Sequence, residues 1–385
     1  MRVVSRLVST PARRETAGAV AIHLALAVIG FTLLLLINRH VGHGVEWLLY
    51  RWDSGNYLRV AERGYPSFIP YRPDGTPDYS RLAFFPLVPA LIRGLHLLTG
   101  LSYAYAGVAI SWCAAAVAAA GVYRLMRAAG ASPGAGYACV ALWSCSPYAF
   151  ALWVPYSEAV FSALLVWAMV ALLARRWLTV GLLCLLAGAV RPTAVVLIAT
   201  VMLAAGWALV HRRDGWRPGA ALALAPLGLL AGWLFLGSRV GRWDGWFEAE
   251  RAWGQSFDFG TGTVRFIGDV LTYRERWNAA DVRHAAVLAV VLLTAVGVLA
   301  LALDRTVPRL LVVLVAGAWL LMTGTPGSHY SKPRFMLPFL PVLLLLVARP
   351  LARAPLVVQI CLYGGGAVVS GWYAAGLLAL FEGSP

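Results

Sequence analysis

The chain has 385 residues, 60% of them hydrophobic and 13% charged, against about 45–50% apolar and about 25% charged in an ordinary soluble domain. That excludes a soluble enzyme. Thirty-two Lys+Arg against 17 Asp+Glu give a formal net charge of +15, which would suit an anionic partner such as nucleic acid if the bases were gathered on one surface.

They are not. Crossing about 30 Å of hydrocarbon takes about 20 mainly apolar residues. Taken in chain order, such segments are predicted at 17–38, 103–126, 134–150, 157–174, 177–190, 192–210, 219–238, 284–303, 308–323, 334–348 and 354–379. The expected fold class is an all-α polytopic membrane protein of about eleven transmembrane helices, one integral membrane domain over 1–385. The first segment follows a basic head (Arg2, Arg6, Arg13, Arg14) and is too long for a signal-peptide core, so it is expected to stay attached. Cys113, Cys139, Cys145, Cys184 and Cys361 all lie in apolar stretches, where they read as small buried hydrophobes rather than a disulfide framework or a thiolate metal cluster.

The apolar run 177–210 would be about 51 Å long as one helix, too long for one crossing. Both of its flanks are basic (Arg175 and Arg176; Arg212 and Arg213), so the positive-inside rule puts both in the cytoplasm. The chain then turns back at Arg191-Pro192, with Arg191 near the outer face. Segment 82–99 is read as an interfacial helix. Phe84, Leu87, Leu91, Leu95 and Leu98 form one stripe, Arg93 and His96 lie off it, and Pro86 and Pro89 interrupt its start.

With that assignment the Arg-rich segments (the N-terminal tail, 124–133, 175–176, 211–217, 304–309 and 349–353) share the cytoplasmic side. Most of the positive excess is therefore an orienting signal, and nucleic acid is not expected as a partner. The extracytoplasmic side receives the long loops 39–102 and 239–283, separated by transmembrane helices 2–7 over 103–238, and the short 324–333; helices 8–11 occupy 284–379. Chemistry is expected in these loops, because long connections in a compact protein are usually functional.

In the first loop, 46–65 reads EWLLYRWDSGNYLRVAERGY. As a helix it places Asp53 and Tyr57 on one line and Leu49, Trp52, Asn56 and Val60 on another. Aromatics anchor such a segment at headgroup level, holding Asp53 just outside the hydrocarbon. An ionised Asp there can accept a proton from a hydroxyl nucleophile; an interfacial ion pair with Arg51 accounts for the same residue without catalysis.

Three linked motifs add a resemblance: Arg51-Trp52-Asp53-Ser54-Gly55-Asn56-Tyr57, Ala61-Glu62-Arg63-Gly64-Tyr65 and Ala83-Phe84-Phe85-Pro86-Leu87-Val88-Pro89. Their order and composition resemble the PIG-V family of mannosyltransferases, which are related to the enzyme that adds the second mannose of GPI anchors. Tyr156-Ser157-Glu158, Arg191-Pro192-Thr193 and Arg334-Phe335-Met336-Leu337-Pro338 are similar as well. The resemblance implies a GT-C glycosyltransferase that inverts a polyprenyl-phosphate-mannose donor at the extracytoplasmic face, with Asp53 as catalytic base. The implied partners are the donor, a lipid-linked or glycan acceptor and membrane lipids. The insert Tyr71 to Ser80 departs from the eukaryotic pattern and bears on the acceptor.

A sugar on a lipid phosphate carries a good leaving group, so the enzyme needs a base and cations more than a strong acid. Arg191, Arg334 and Lys332, the single lysine of the chain, are the candidates for holding the phosphate. Arg334 also reads as a snorkelling residue at a helix end. Glu158 is a candidate sugar ligand, although an acid at a helix N-terminus is favourable anyway. Arg51, Trp52, Tyr57, His329 and Tyr330 complete the candidate sugar- or acceptor-binding set. His40, His43 and Glu46 are three residues apart, yet no metal site is read from them, and no cofactor is expected, because arginines alone can hold a phosphate. In the second loop Trp243-Asp244-Gly245-Trp246, Glu248, Glu250 and Trp253 suit sugar binding and an amphipathic cap equally. The competing readings are a GT-C enzyme using another polyprenyl-phosphate sugar and a flippase or transporter, which would place charges at the bilayer midplane.

Overall fold

A computed structural model describes residues 10–272, 279–327 and 329–380. Arg2 and Arg6 of the basic head lie outside the described residues. The regular secondary structure among the described residues is helical, with one isolated bridge, Tyr71 to Pro77, in the insert.

Helices stand at each of the eleven expected positions, but they are unequal. Among the described residues five are long and apolar enough to cross a membrane: Arg13–His40, Tyr103–Ala128, Arg217–Arg239, His284–Leu303 and Leu356–Leu380. A sixth arises if His329–Met336 and Leu340–Leu351, bent by 65°, are one broken span. Glu158–Leu173, Trp177–Gly188, Ala194–Val210 and Arg309–Gly324 are shorter apolar helices, and Pro133–Ser144 has 12 residues. The eleven expected positions thus hold helices of unequal length. Hydropathy counts apolar residues on both sides of a break, whereas these helices stop where the chain turns near Ser146, Arg191 and the prolines at 338 and 341. At 1.5 Å per residue a 12-residue helix is only about 18 Å long.

Segment 82–99 forms the 13-residue helix Leu87–Thr99, too short for a crossing. Val88 and Ile92 are buried while Leu98 is 85% exposed, the division expected of a helix lying against the bundle with one apolar face outward.

The bundle joins its two ends, Thr10–His40 packing along Leu356–Ala375, and pairs Tyr103–Ala128 with Glu158–Leu173. Small residues permit close approach: a Cβ on Gly228 would stand 1.7 Å from the Leu185 carbonyl oxygen. This contact fixes Trp177–Gly188 against Leu227–Arg239 and thereby the turn at Arg191. The backbone N–H of Leu87 donates to the Ala189 carbonyl at 3.0 Å, tying the start of the interfacial helix to that turn.

Candidate active site

The Arg-Trp-Asp-Ser-Gly string is a sharp entry into the helix Trp52–Arg63. Trp52 has φ +51°, a left-handed conformation that is uncommon for a bulky residue and costs of order 1–3 kcal/mol. The Arg51 guanidinium lies over the Trp47 ring at 4.5 Å and the Trp52 ring at 4.7 Å. The Ser54 hydroxyl donates back to the Leu49 carbonyl. At Gly55 a Cβ would meet the Tyr50 carbonyl oxygen at 2.0 Å. Each residue of the string closes the same bend, and Asp53 is held in its first helical turn.

The third motif packs on the first two. The Tyr57 ring meets Phe84 edge-on at 5.0 Å, and the Tyr65 hydroxyl donates to the Phe84 carbonyl at 2.7 Å. Phe85 is buried against Trp246 at 5.7 Å. Burial beside Glu158 and Asp53 pushes the Tyr57 phenol up, so it stays protonated and serves as a hydrogen-bonding group.

Three charged side chains from distant segments meet beside Asp53. Arg334 Nη1 stands 2.6 Å from Asp53 Oδ2, and Arg334 Nε is 3.4 Å from Glu158 Oε1. Arg191 Nη1 reaches the same Glu158 oxygen at 3.0 Å. Glu158, Arg191 and Arg334 are all buried. Arg334 lies over the Tyr156 ring at 4.8 Å and Arg191 over the Phe335 ring at 5.1 Å, so aromatic faces carry part of the cost of burying the cations. Arg191 Nε and Thr193 Oγ1 are buried without a hydrogen-bond partner among the described residues. Buried polar groups are ordinarily paired, so spare donors around two arginines suit an anionic ligand.

These residues border a cavity of about 440 Å³ lined by Asp53, Tyr57, Glu158, Arg191, Glu250 and Arg334 among others, with Trp233, Phe247, Leu321 and Phe339 on its apolar wall. A second cavity of about 530 Å³ is lined by Trp52, Asp53, Asn56, Tyr79, Arg81 and Trp253. Asp53 belongs to both. The insert supplies the roof of the second: Tyr79 packs on Trp253 at 4.6 Å.

The remaining candidates lie elsewhere. Lys332 is buried outside the cavity wall, its ammonium donating to Thr263 Oγ1 at 2.7 Å, the Met322 carbonyl at 3.0 Å and the Thr325 carbonyl at 2.7 Å. Those three acceptors use all three of its donors, so the expectation that it faces the donor phosphate is corrected. His329 stacks on Phe266 at 4.5 Å, and the Tyr330 hydroxyl pairs with His284 Nε2 at 2.7 Å; neither borders the 440 Å³ cavity. Arg51 is spent on its two tryptophans, and Trp52 faces the second cavity only. His43 stacks on Trp47 at 3.6 Å. Thr193, Ser157 and Phe335, which stand in the later motifs without a role assigned to them, also line the cavity. Their place in those motifs is the one signal that could have found them.

No protein-family model matches the chain, and no curated protein matches it. Among solved structures, it is similar to ArnT from Cupriavidus metallidurans bound to undecaprenyl phosphate, with 15% identity, TM-score 0.49, and coverage of 88% of this chain and 61% of that one. It is also similar to the oligosaccharyltransferase of Archaeoglobus fulgidus in complex with zinc and sulfate, with 14% identity, TM-score 0.49, and coverage of 94% of this chain and 53% of that one. This chain thus spans less than two thirds of the length of either protein.

Proposed function

We propose that this protein is a membrane glycosyltransferase that moves mannose from polyprenyl-phosphate-mannose to a hydroxyl of a lipid-linked or glycan acceptor at the extracytoplasmic face, with inversion. The observation that supports it best is the position of Asp53 between two cavities, one of them bordered by Arg191 and Arg334. The three linked motifs of the first loop, with their resemblance to PIG-V mannosyltransferases, supply the donor chemistry.

In this reading the donor occupies the cavity of the arginines and the acceptor occupies the other. Asp53 takes the proton of the acceptor hydroxyl while its oxygen bonds to the anomeric carbon. The bond from that carbon to the phosphate oxygen breaks on the opposite face, and the electron pair leaves with the phosphate. Arg191 and Arg334 balance the charge that develops there, in a buried site where such stabilisation is strong. Attack and departure on opposite faces invert the anomeric centre. Glu158 holds both arginines in place.

The test is to give the purified protein labelled polyprenyl-phosphate-mannose with a membrane lipid extract and to identify the product by mass spectrometry, beside Asp53→Asn. A mannosylated lipid or glycan from the wild type alone is expected. Failure of the wild type to transfer, or undiminished transfer by Asp53→Asn, would overturn the reading. Transfer only from a donor carrying a different sugar would keep the chemistry and replace mannose.

A further inference from the structure

We propose that Glu250 is a specificity-determining residue of this site, holding hydroxyl groups of the sugar that the donor carries, between Trp246 and Trp253. The inference rests on the glycosyltransferase reading above.

Glu250 lies near the end of the helix Gly245–Arg251. Spacings of four and three residues put Trp246, Glu250 and Trp253 on one face, with the Trp253 N–H donating to the Glu250 carbonyl at 3.0 Å to continue the turn. All three border the cavity that contains Asp53, Arg191 and Arg334. The other acids of the segment are occupied: Asp244 pairs with Arg242 at 2.8 Å and Glu248 with Arg251 at 3.0 Å. The Glu250 carboxyl has neither a hydrogen bond nor an ion pair among the described residues, and the charged neighbour that acts on it is Asp53, of like sign.

Glu250 is half-buried at the cavity wall, so its unpartnered carboxyl is open to a ligand in that cavity. Burial, then the charge of Asp53, pushes Glu250 up to about 8, so at neutral pH it is an uncharged acid that both donates and accepts a hydrogen bond. A sugar hydroxyl asks for that pair, and ring faces of tryptophan suit the apolar side of a pyranose. Glu250 borders the cavity of the arginines and not the second cavity. The sugar it meets is therefore the one attached to the phosphate, not the acceptor.

The experiment compares binding of polyprenyl-phosphate-mannose and of bare polyprenyl phosphate to the full-length protein, read by quenching of tryptophan fluorescence. The wild type should prefer the sugar-bearing ligand. Glu250→Ala and Glu250→Leu should lose about five- to tenfold in affinity for it, the worth of a hydrogen bond or so, while binding bare polyprenyl phosphate as before. Glu250→Gln, which keeps a donor and an acceptor, should retain most of the preference. An unchanged preference in the Ala and Leu variants, or an equal loss for both ligands, overturns the role of Glu250 alone. A wild type that binds neither ligand overturns the glycosyltransferase reading together with it.

Discussion

Asp53 forms an ion pair with the buried Arg334, Oδ2 to Nη1 at 2.6 Å, while the same guanidinium leans on Glu158 at 3.4 Å. A carboxylate so paired is a poor base until something draws the arginine away, and a donor phosphate is a stronger competitor for a guanidinium fork. Arg334→Ala leaves Asp53 without its ion-pair partner and Glu158 with Arg191 alone. It should destabilise the protein by about 3–5 kcal/mol, seen as a lowered Tm in detergent. Arg334→Lys keeps the charge and loses the planar fork; it should fold and transfer at least about tenfold more slowly. Wild-type transfer by Arg334→Lys would remove the arginine from the mechanism.

Glu250 gives the pH dependence a sign. Its folded-state value of about 8 stands above the ordinary 4.5, so between these the folded protein holds a proton that the unfolded chain has released. Stability should therefore fall as pH rises from about 4.5 towards 8, and donor affinity should fall as pH passes 8 and the acid ionises beside Asp53. Thermal melts and donor titrations across pH 6–9 should show both slopes flattened in Glu250→Gln.

Gly55 is where the turn before Asp53 has no room. A methyl group would approach the Tyr50 carbonyl oxygen to 2.0 Å, on the residue whose N–H closes the helix Val45–Leu49 by donating to the Glu46 carbonyl. Gly55→Ala should cost about 1–3 kcal/mol of stability and reduce transfer by shifting Asp53. A variant with the wild-type Tm and rate would show that the bend tolerates a side chain.

Lys332 ties three acceptors together. Lys332→Met leaves them unpaired and should cost about 1–3 kcal/mol, with the donor KM unchanged once the protein is folded. A donor KM raised at unchanged Tm would return Lys332 to phosphate binding.

The orientation has its own check. Asp74 is exposed, and Trp243 and Trp216 are 80% and 69% exposed, so cysteines placed there, with the five native cysteines removed, are open to an impermeant thiol reagent in intact cells. Asp74→Cys and Trp243→Cys should label and Trp216→Cys should not. The reverse pattern would turn the protein over and put the site on the cytoplasmic side.

The sequence by itself determined what is local: the apolar helices, the break at Arg191-Pro192 and the short helix after Phe85; it did not determine the bend at Trp52, which splits the helix expected over 46–65. Helical period, proline geometry and charge bias act over a few residues, so they can be read from a stretch of chain. Only the tertiary structure decided which charges share a site. Lys332 and Arg334 look alike as outer-facing bases, yet on the helix Lys332–Met336 residues two apart point to opposite sides; one meets Asp53 and the other the carbonyls behind. Glu250 was one of several acids in a loop, and its solitude beside Asp53 exists only once Gly245–Arg251 packs against Arg81–Ala83. An ion pair depends on a distance in space, and nothing in the order of residues states that distance.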